Sequence, residues 1–101
     1  MKVLFICNQN LNRSKTAEEL FRNKFDTKSA GIYNEKPVTK SQISWADIII
    51  VMEKDHRTEL SRRFPKEYMK KRILCLDIPD IYSYMQPELV EILNKKIKNL
   101  F

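Results

Sequence analysis

Cys7 and Arg13 bracket a five-residue loop, Asn8-Gln9-Asn10-Leu11-Asn12, and Ser14 follows at once. A loop of that length running into a helix can turn its backbone N–H groups around a tetrahedral anion, while the helix N-terminus adds partial positive charge. Arg13 brings a planar fork that takes two oxygens of the same anion. The field that binds an anion also lowers the pKa of a cysteine at its centre from about 8.5, so that Cys7 stands as a thiolate at neutral pH. A thiolate attacks phosphorus in line with the leaving oxygen and forms a phosphocysteine, dividing hydrolysis into two easier steps. The alternative is that Cys7 merely ends a buried strand and Arg13 lies on a helix surface. An arginine at one fixed offset arises by chance about once in sixteen trials. The weight therefore rests on the combination of a strand before the loop, a helix after it and Ser14 at the junction.

Expulsion of an alkoxide or phenoxide needs a proton donor. The stretch Asp77-Ile78-Pro79-Asp80-Ile81-Tyr82-Ser83-Tyr84 offers two carboxylates. Asp80, flanked by Pro79 and close to Tyr82, is the favoured acid, and Asp77 stays open as the alternative, better suited to a strand end or a turn. Tyr82 and Tyr84 either wall a pocket for an aromatic ester or pack on the last helix. Trp45 reads as core. His56 reads as a half-buried structural residue, and nothing near it in sequence suggests a metal ligand.

These residues need a scaffold, and the hydrophobic pattern supplies one. Lys2 to Ile6 is a short apolar strand, and Ala17, Leu20, Phe21 and Phe25 fall on one face of the helix after Arg13. Lys28 to Ile32 reads as a second strand, ending near the only glycine, Gly31. Residues 33–44 read as a loop with a turn of helix leading to Trp45. Asp47 to Met52 is apolar on both faces, as in a parallel strand covered on each side. Glu53 to Phe64 predicts a helix that Pro65 stops, Arg72 to Leu76 a fourth strand, and Asp77 to Gln86 a loop. Pro87 opens a last helix whose stripe is Leu89, Ile92, Leu93, Ile97 and Leu100.

Four strands alternating with helices imply right-handed crossovers and one parallel sheet with helices on both faces, an α/β fold. The two most apolar strands, the first and third, belong in the centre. That predicts the order 2-1-3-4 and puts the ligand crevice beyond the carboxyl ends of strands 1 and 3, where Cys7 stands.

At 101 residues the chain reads as a single domain, 1–101. With 43% hydrophobic and 32% charged residues it is an ordinary globular composition, which excludes a disordered chain. Nineteen basic against thirteen acidic residues leave a charge of +6, which attracts anions without choosing among them. The opening apolar run is too short for a signal peptide or a membrane span, so a cytoplasmic protein is expected. Two cysteines in that compartment point to a nucleophile and a core residue before a disulfide.

The pattern Cys-x-x-Asn-x-x-Arg-Ser between strand 1 and helix 1 resembles the phosphate loop of the low-molecular-weight protein tyrosine phosphatases. Thr16-Ala17-Glu18, Ser29-Ala30-Gly31, the run Ala46 to Met52 and an Asp-containing loop near the C-terminus extend the likeness over most of the chain. The resemblance implies a flavodoxin-like three-layer fold and a hydrolase in which Cys7 is the nucleophile, Arg13 the phosphate clamp and Asp80 the acid. Asn8, Gln9, Asn10, Leu11, Asn12, Ser14 and Tyr82 would surround the substrate. It further implies that Asn10 holds the loop through a side-chain network with Ser29, and that Ser14 stabilises the Cys7 thiolate. The implied substrate is a phosphorylated protein or a small phosphate ester, with inorganic phosphate as product; no cofactor, metal, membrane or nucleic acid is expected. Leu11, apolar and branched, is similar to the tyrosine phosphatases of this type more than to the arginine phosphatases, which carry threonine there.

Departures from the family pattern are Gln9 for glycine, Lys15 for proline and Asn12 for a second cysteine, together with a short connection between strands 2 and 3. They imply a shallow pocket. Two rival readings keep the same loop: an arsenate reductase, for which Cys75 is the one candidate redox partner, and a phosphocysteine relay domain of the sugar phosphotransferase IIB type.

Overall fold

The computed structural model describes residues 1–101. Its elements run β1 (Lys2–Cys7), α1 (Arg13–Phe21), β2 (Asp26–Gly31), α2 (Lys40–Trp45), β3 (Ile48–Val51), α3 (Lys54–Arg63), α4 (Pro65–Lys70), β4 (Arg72–Cys75) and α5 (Pro87–Leu100). All pairings are parallel and the strand order is β2-β1-β3-β4, as the apolarity of the strands predicts.

Alternation along the two central strands divides the core. Val3, Phe5 and Cys7 with Ile48 and Ile50 face Ala17 and Phe21 of α1 and Leu89, Leu93 and Ile97 of α5. Leu4 and Ile6 with Ile49 and Val51 face Ile43 of α2 and Leu60 of α3. Burying each such aliphatic side chain contributes about 2 kcal/mol, and both faces of β1 and β3 must be covered for the sheet to stand. Cys7 consequently emerges at the switch point, between Gly31 of β2 and the end of β3.

Three details differ from the sequence reading. The stretch 33–44 contains a true helix, α2, begun by a reciprocal cap in which the Gln42 N–H donates to Thr39 Oγ1 and the Thr39 N–H donates to Gln42 Oε1. Pro65 does not only end α3; it occupies the first turn of a further helix, α4, where its missing N–H costs nothing. Phe25 lies beyond α1, whose last turn closes at Phe21, yet it still packs against the same face of the core.

Candidate active site

β1 delivers Cys7 to the sheet's carboxyl edge, the chain bends through residues 8–12, and α1 begins at Arg13. Asn10 sits at the turning point with φ 55°, the left-handed region that asparagine tolerates better than other side chains. The first carbonyls of the loop are taken from outside: Ile32 N–H donates to Cys7 O and Tyr33 N–H to Asn8 O. The backbone N–H groups of residues 8–12 donate to nothing else in the chain. Gly31 permits this closeness, since a Cβ there would stand 2.5 Å from Asn34 Oδ1 and 3.0 Å from Asn8 O.

The side chains converge on the same spot. Three of the four fully buried polar or charged residues of the protein, Arg13, Ser14 and His56, make their hydrogen bonds there, while the fourth, Thr16, accepts from the Met85 N–H. Arg13 is 1% exposed, and its Nη1 donates to Glu53 Oε2 at 2.9 Å and to Ile78 O at 2.6 Å. Its Nε and Nη2 have no hydrogen-bond partner although both are buried, Nε lying 3.7 Å from the Asp80 carboxylate. These two N–H groups form one edge of the guanidinium, the edge that grips two oxygens in parallel. They border a cavity of about 70 Å³ lined by Cys7, Asn8, Gln9, Leu11, Asn12, Arg13 and Asp80.

Ser14 Oγ lies 2.9 Å from Cys7 Sγ and donates to Asn10 Oδ1 at 2.8 Å. A hydroxyl has one proton. With that proton given to Asn10, the Cys7 S–H is left to donate to Ser14 Oγ. The expected side-chain link between Asn10 and Ser29 is not formed. Asn10 Nδ2 reaches the Ser29 backbone carbonyl at 3.5 Å, and Ser29 Oγ donates instead to Glu18 Oε1 at 2.7 Å. The cause is strand geometry: Ser29 pairs with Phe5 and points with it toward α1, where Glu18 waits.

Asp80 stands at the rim, its Oδ2 accepting from Asn8 Nδ2 at 3.3 Å and its Oδ1 3.7 Å from Arg13 Nε. Asp77 does not line the cavity; with φ 59° it makes the turn that follows β4. Tyr82, expected as a pocket wall, is half-buried against the α1/α5 face of the core, and Tyr84 is exposed without lining the cavity. An aromatic in a loop that crosses a core edge gains more by covering that edge than by facing water.

Two residues of the site were not anticipated. Glu53 is the ion-pair partner of Arg13. His56, expected to be half-buried, is fully buried; its Nδ1 accepts the Glu53 N–H at 3.1 Å and its Nε2 lies 2.6 Å from Asn8 Oδ1. The available signal was position alone, because both residues follow directly from the carboxyl end of a central strand. Glu53, Asp55 and His56 bring possible ligand atoms within 4.8 Å of one another. Glu53 is engaged by Arg13 and both His56 nitrogens are in hydrogen bonds, so these two are committed to the loop rather than to a cation.

Burial lowers the His56 pKa below its ordinary 6.5, Arg13 acting in the same direction while Asp55, Glu53 and Asp80 oppose it. Between the lowered folded value and 6.5 the unfolded chain holds a proton that the folded chain does not. Stability therefore rises with pH across that window and is lost as pH falls through it. Thermal melts between about pH 5 and 7 should show the wild type losing Tm with acid more steeply than His56→Gln. Parallel curves would mean that His56 titrates normally in the fold.

No sequence-family model matches the chain, and no curated protein matches it by sequence. Solved structures do. The tyrosine phosphatase Wzb from Escherichia coli K30, in complex with phosphate, superposes with a TM-score of 0.78 at 22% identity, covering 98% of this chain and 94% of that one. The fold is that of the low-molecular-weight tyrosine phosphatases. A protein described by that family name from T. tengcongensis gives 0.78 at 21% identity, with 98% of this chain and 99% of that one covered. The YwlE arginine phosphatase, in a cysteine-to-serine form with a phosphorylated active-site serine, gives 0.76 at 18% identity over 99% and 95%. The low-molecular-weight phosphatase fold spans the whole chain in each comparison.

Proposed function

We propose that this protein is a cysteine-dependent phosphomonoester hydrolase acting through a phosphocysteine on Cys7. The observation that carries the reading is the buried, unpartnered Nε–Nη2 edge of Arg13 bordering the cavity that Cys7 also lines. A buried charged donor left unpaired costs on the order of 1–3 kcal/mol or more, and a phosphoryl group between Arg13 and the loop N–H groups removes that cost. A phosphatase fold, and one neighbour described with a phosphorylated serine in its active site, support the same conclusion.

In the first step the Cys7 thiolate forms the S–P bond as the P–O bond to the leaving group breaks, and protonated Asp80 passes its proton to the departing oxygen. The loop N–H groups and Arg13 hold the three equatorial oxygens, where negative charge must be balanced. In the second step Asp80, now a carboxylate, takes a proton from water. That water attacks phosphorus, the S–P bond breaks, and inorganic phosphate leaves with the Cys7 thiolate restored. The half of Asp80 that is exposed allows water to reach it.

A cavity of about 70 Å³ has room for roughly two waters, which suits a phosphoryl group and not the organic part of a substrate. That part must lie on the rim, where Leu11 is 65% exposed. An apolar side chain at the mouth favours the ring of a phosphotyrosyl residue over the cationic head of phosphoarginine. The arsenate reductase reading loses its redox partner. Cys75 lies on β4 with β3 between it and β1, about 10 Å across two strand spacings, whereas a disulfide requires Cα atoms within about 7 Å.

Asp80→Asn tests the scheme. Hydrolysis of phenyl phosphate or a phosphotyrosine peptide should fall by about a hundredfold, and nitrophenyl phosphate by much less, because nitrophenoxide leaves without a proton. The basic limb of the pH profile should flatten. If Asp77→Asn shows that dependence and Asp80→Asn does not, the acid is Asp77.

A further inference from the structure

The carboxyl of Asp80 has two oxygens, and only a proton on the one facing the ester is of use. Three hydrogen bonds decide between them. Because His56 Nδ1 accepts the Glu53 N–H, the ring proton is on Nε2, 2.6 Å from Asn8 Oδ1. An amide oxygen only accepts, so His56 donates and fixes the Asn8 side chain with Nδ2 turned outward, 3.3 Å from Asp80 Oδ2. An amide NH₂ only donates. Asp80 Oδ2 is the oxygen held in a hydrogen bond, and a carbonyl oxygen accepts better than the hydroxyl oxygen of an acid, so this bond favours the acid proton on Oδ1, which lies 3.7 Å from Arg13 Nε, beyond hydrogen-bond distance.

We propose that His56 is a positioning residue that, through the amide of Asn8, keeps the acid proton of Asp80 on the oxygen facing the bound phosphate ester. The proposal rests on the hydrolase reading with Asp80 as the acid. In the first step the O–H bond on Oδ1 breaks and its proton goes to the leaving oxygen, while Oδ2 keeps its bond to Asn8. In the second step Oδ1 takes a proton back from the attacking water. His56 gains and loses nothing; a second ring proton would set N–H against the N–H of Glu53. The carboxylates of Glu53, Asp55 and Asp80 and the guanidinium of Arg13 are the charges acting on the ring.

The experiment compares kcat on phenyl phosphate and nitrophenyl phosphate. His56→Leu removes the donor, and His56→Gln keeps one near the place of Nε2. His56→Leu should lower kcat on phenyl phosphate about tenfold or more and on nitrophenyl phosphate less than about threefold, with His56→Gln recovering most of the loss. A merely structural role would reduce both substrates by one factor. Asn8→Leu repeats the test outside the core and decides the matter where His56→Leu does not fold. Equal losses on the two substrates, or none, in an enzyme whose Asp80→Asn variant does depend on the leaving group would overturn the relay alone. No leaving-group dependence in Asp80→Asn would overturn the choice of acid and the relay with it, and activity surviving Cys7→Ser would overturn the hydrolase reading itself.

Discussion

Cys7→Ser is expected to abolish turnover while leaving the anion site in place. A cysteine sulfur is the atom that the proposed mechanism needs as nucleophile. Around Cys7 stand the Ser14 hydroxyl 2.9 Å away, the unbonded loop N–H groups and the N-terminus of α1. A serine oxygen is a poorer nucleophile and a far poorer leaving group from phosphorus than a thiolate, so turnover stops even where the serine takes up a phosphoryl group, as in the cysteine-to-serine neighbour. Losing the nucleophile of a hydrolase costs up to about a millionfold, and a fall of at least about ten-thousandfold in kcat is the expectation here. Binding should survive, since the donors are backbone N–H groups and Arg13, none of which the substitution removes. Phosphate or tungstate titration by calorimetry, run beside the activity assay, separates the two quantities. Cys75→Ser is the control, expected within a few-fold of wild type because β3 separates β4 from the site. Turnover retained in the Cys7 variant would end the phosphocysteine mechanism.

The parts of this site that are legible in the sequence are those whose partners are near in sequence or implied by periodicity. Cys7, the loop and Arg13 lie within seven residues of one another, so strand-loop-helix spacing brings them together. The strand order follows from Ile48 to Val51 and Val3 to Ile6 being apolar on both faces. Glu53 and His56 were hidden for the opposite reason: their partners, Arg13 and Asn8, are 40 and 48 residues away. A histidine in a short helix looks the same in sequence whether it faces solvent or a catalytic loop. Ser29 misled because a residue in the expected place can meet Asn10 through its carbonyl while its hydroxyl goes to the other face. Pro65 misled because the ring that ends one helix is equally suited to begin the next. Side-chain direction at strand edges and pairing between distant loops are settled only by tertiary packing, and the hydrogen bonds that join His56, Asn8 and Asp80 depend on both.

Arg13→Lys should cost far more than a substitution that keeps the charge would suggest. Arg13 serves two sides at once. Nη1 joins Glu53 and Ile78 O, which anchors the guanidinium to α3 and to the loop carrying Asp80, while Nε and Nη2 present a flat pair of donors to the cavity. A lysine ammonium is a single point on a flexible stem and cannot supply both sides. Placed against Glu53 it abandons the phosphate; placed at the phosphate it leaves Glu53 and the Ile78 carbonyl without their buried partner. Loss of one preorganised donor to a transition-state oxyanion is worth about a hundredfold to a thousandfold, so kcat/KM should fall by a hundredfold or more. A second measurement separates a failed site from a failed fold. A saturating anion stabilises the native state by mass action, about 2.7 kcal/mol at a hundred times its Kd, so phosphate or vanadate should raise the wild-type Tm. At the same anion concentration the variant should remain folded but show little of that rise. A variant with near-normal activity and an undiminished anion-induced shift would mean that the open edge of Arg13 does not meet the phosphoryl group.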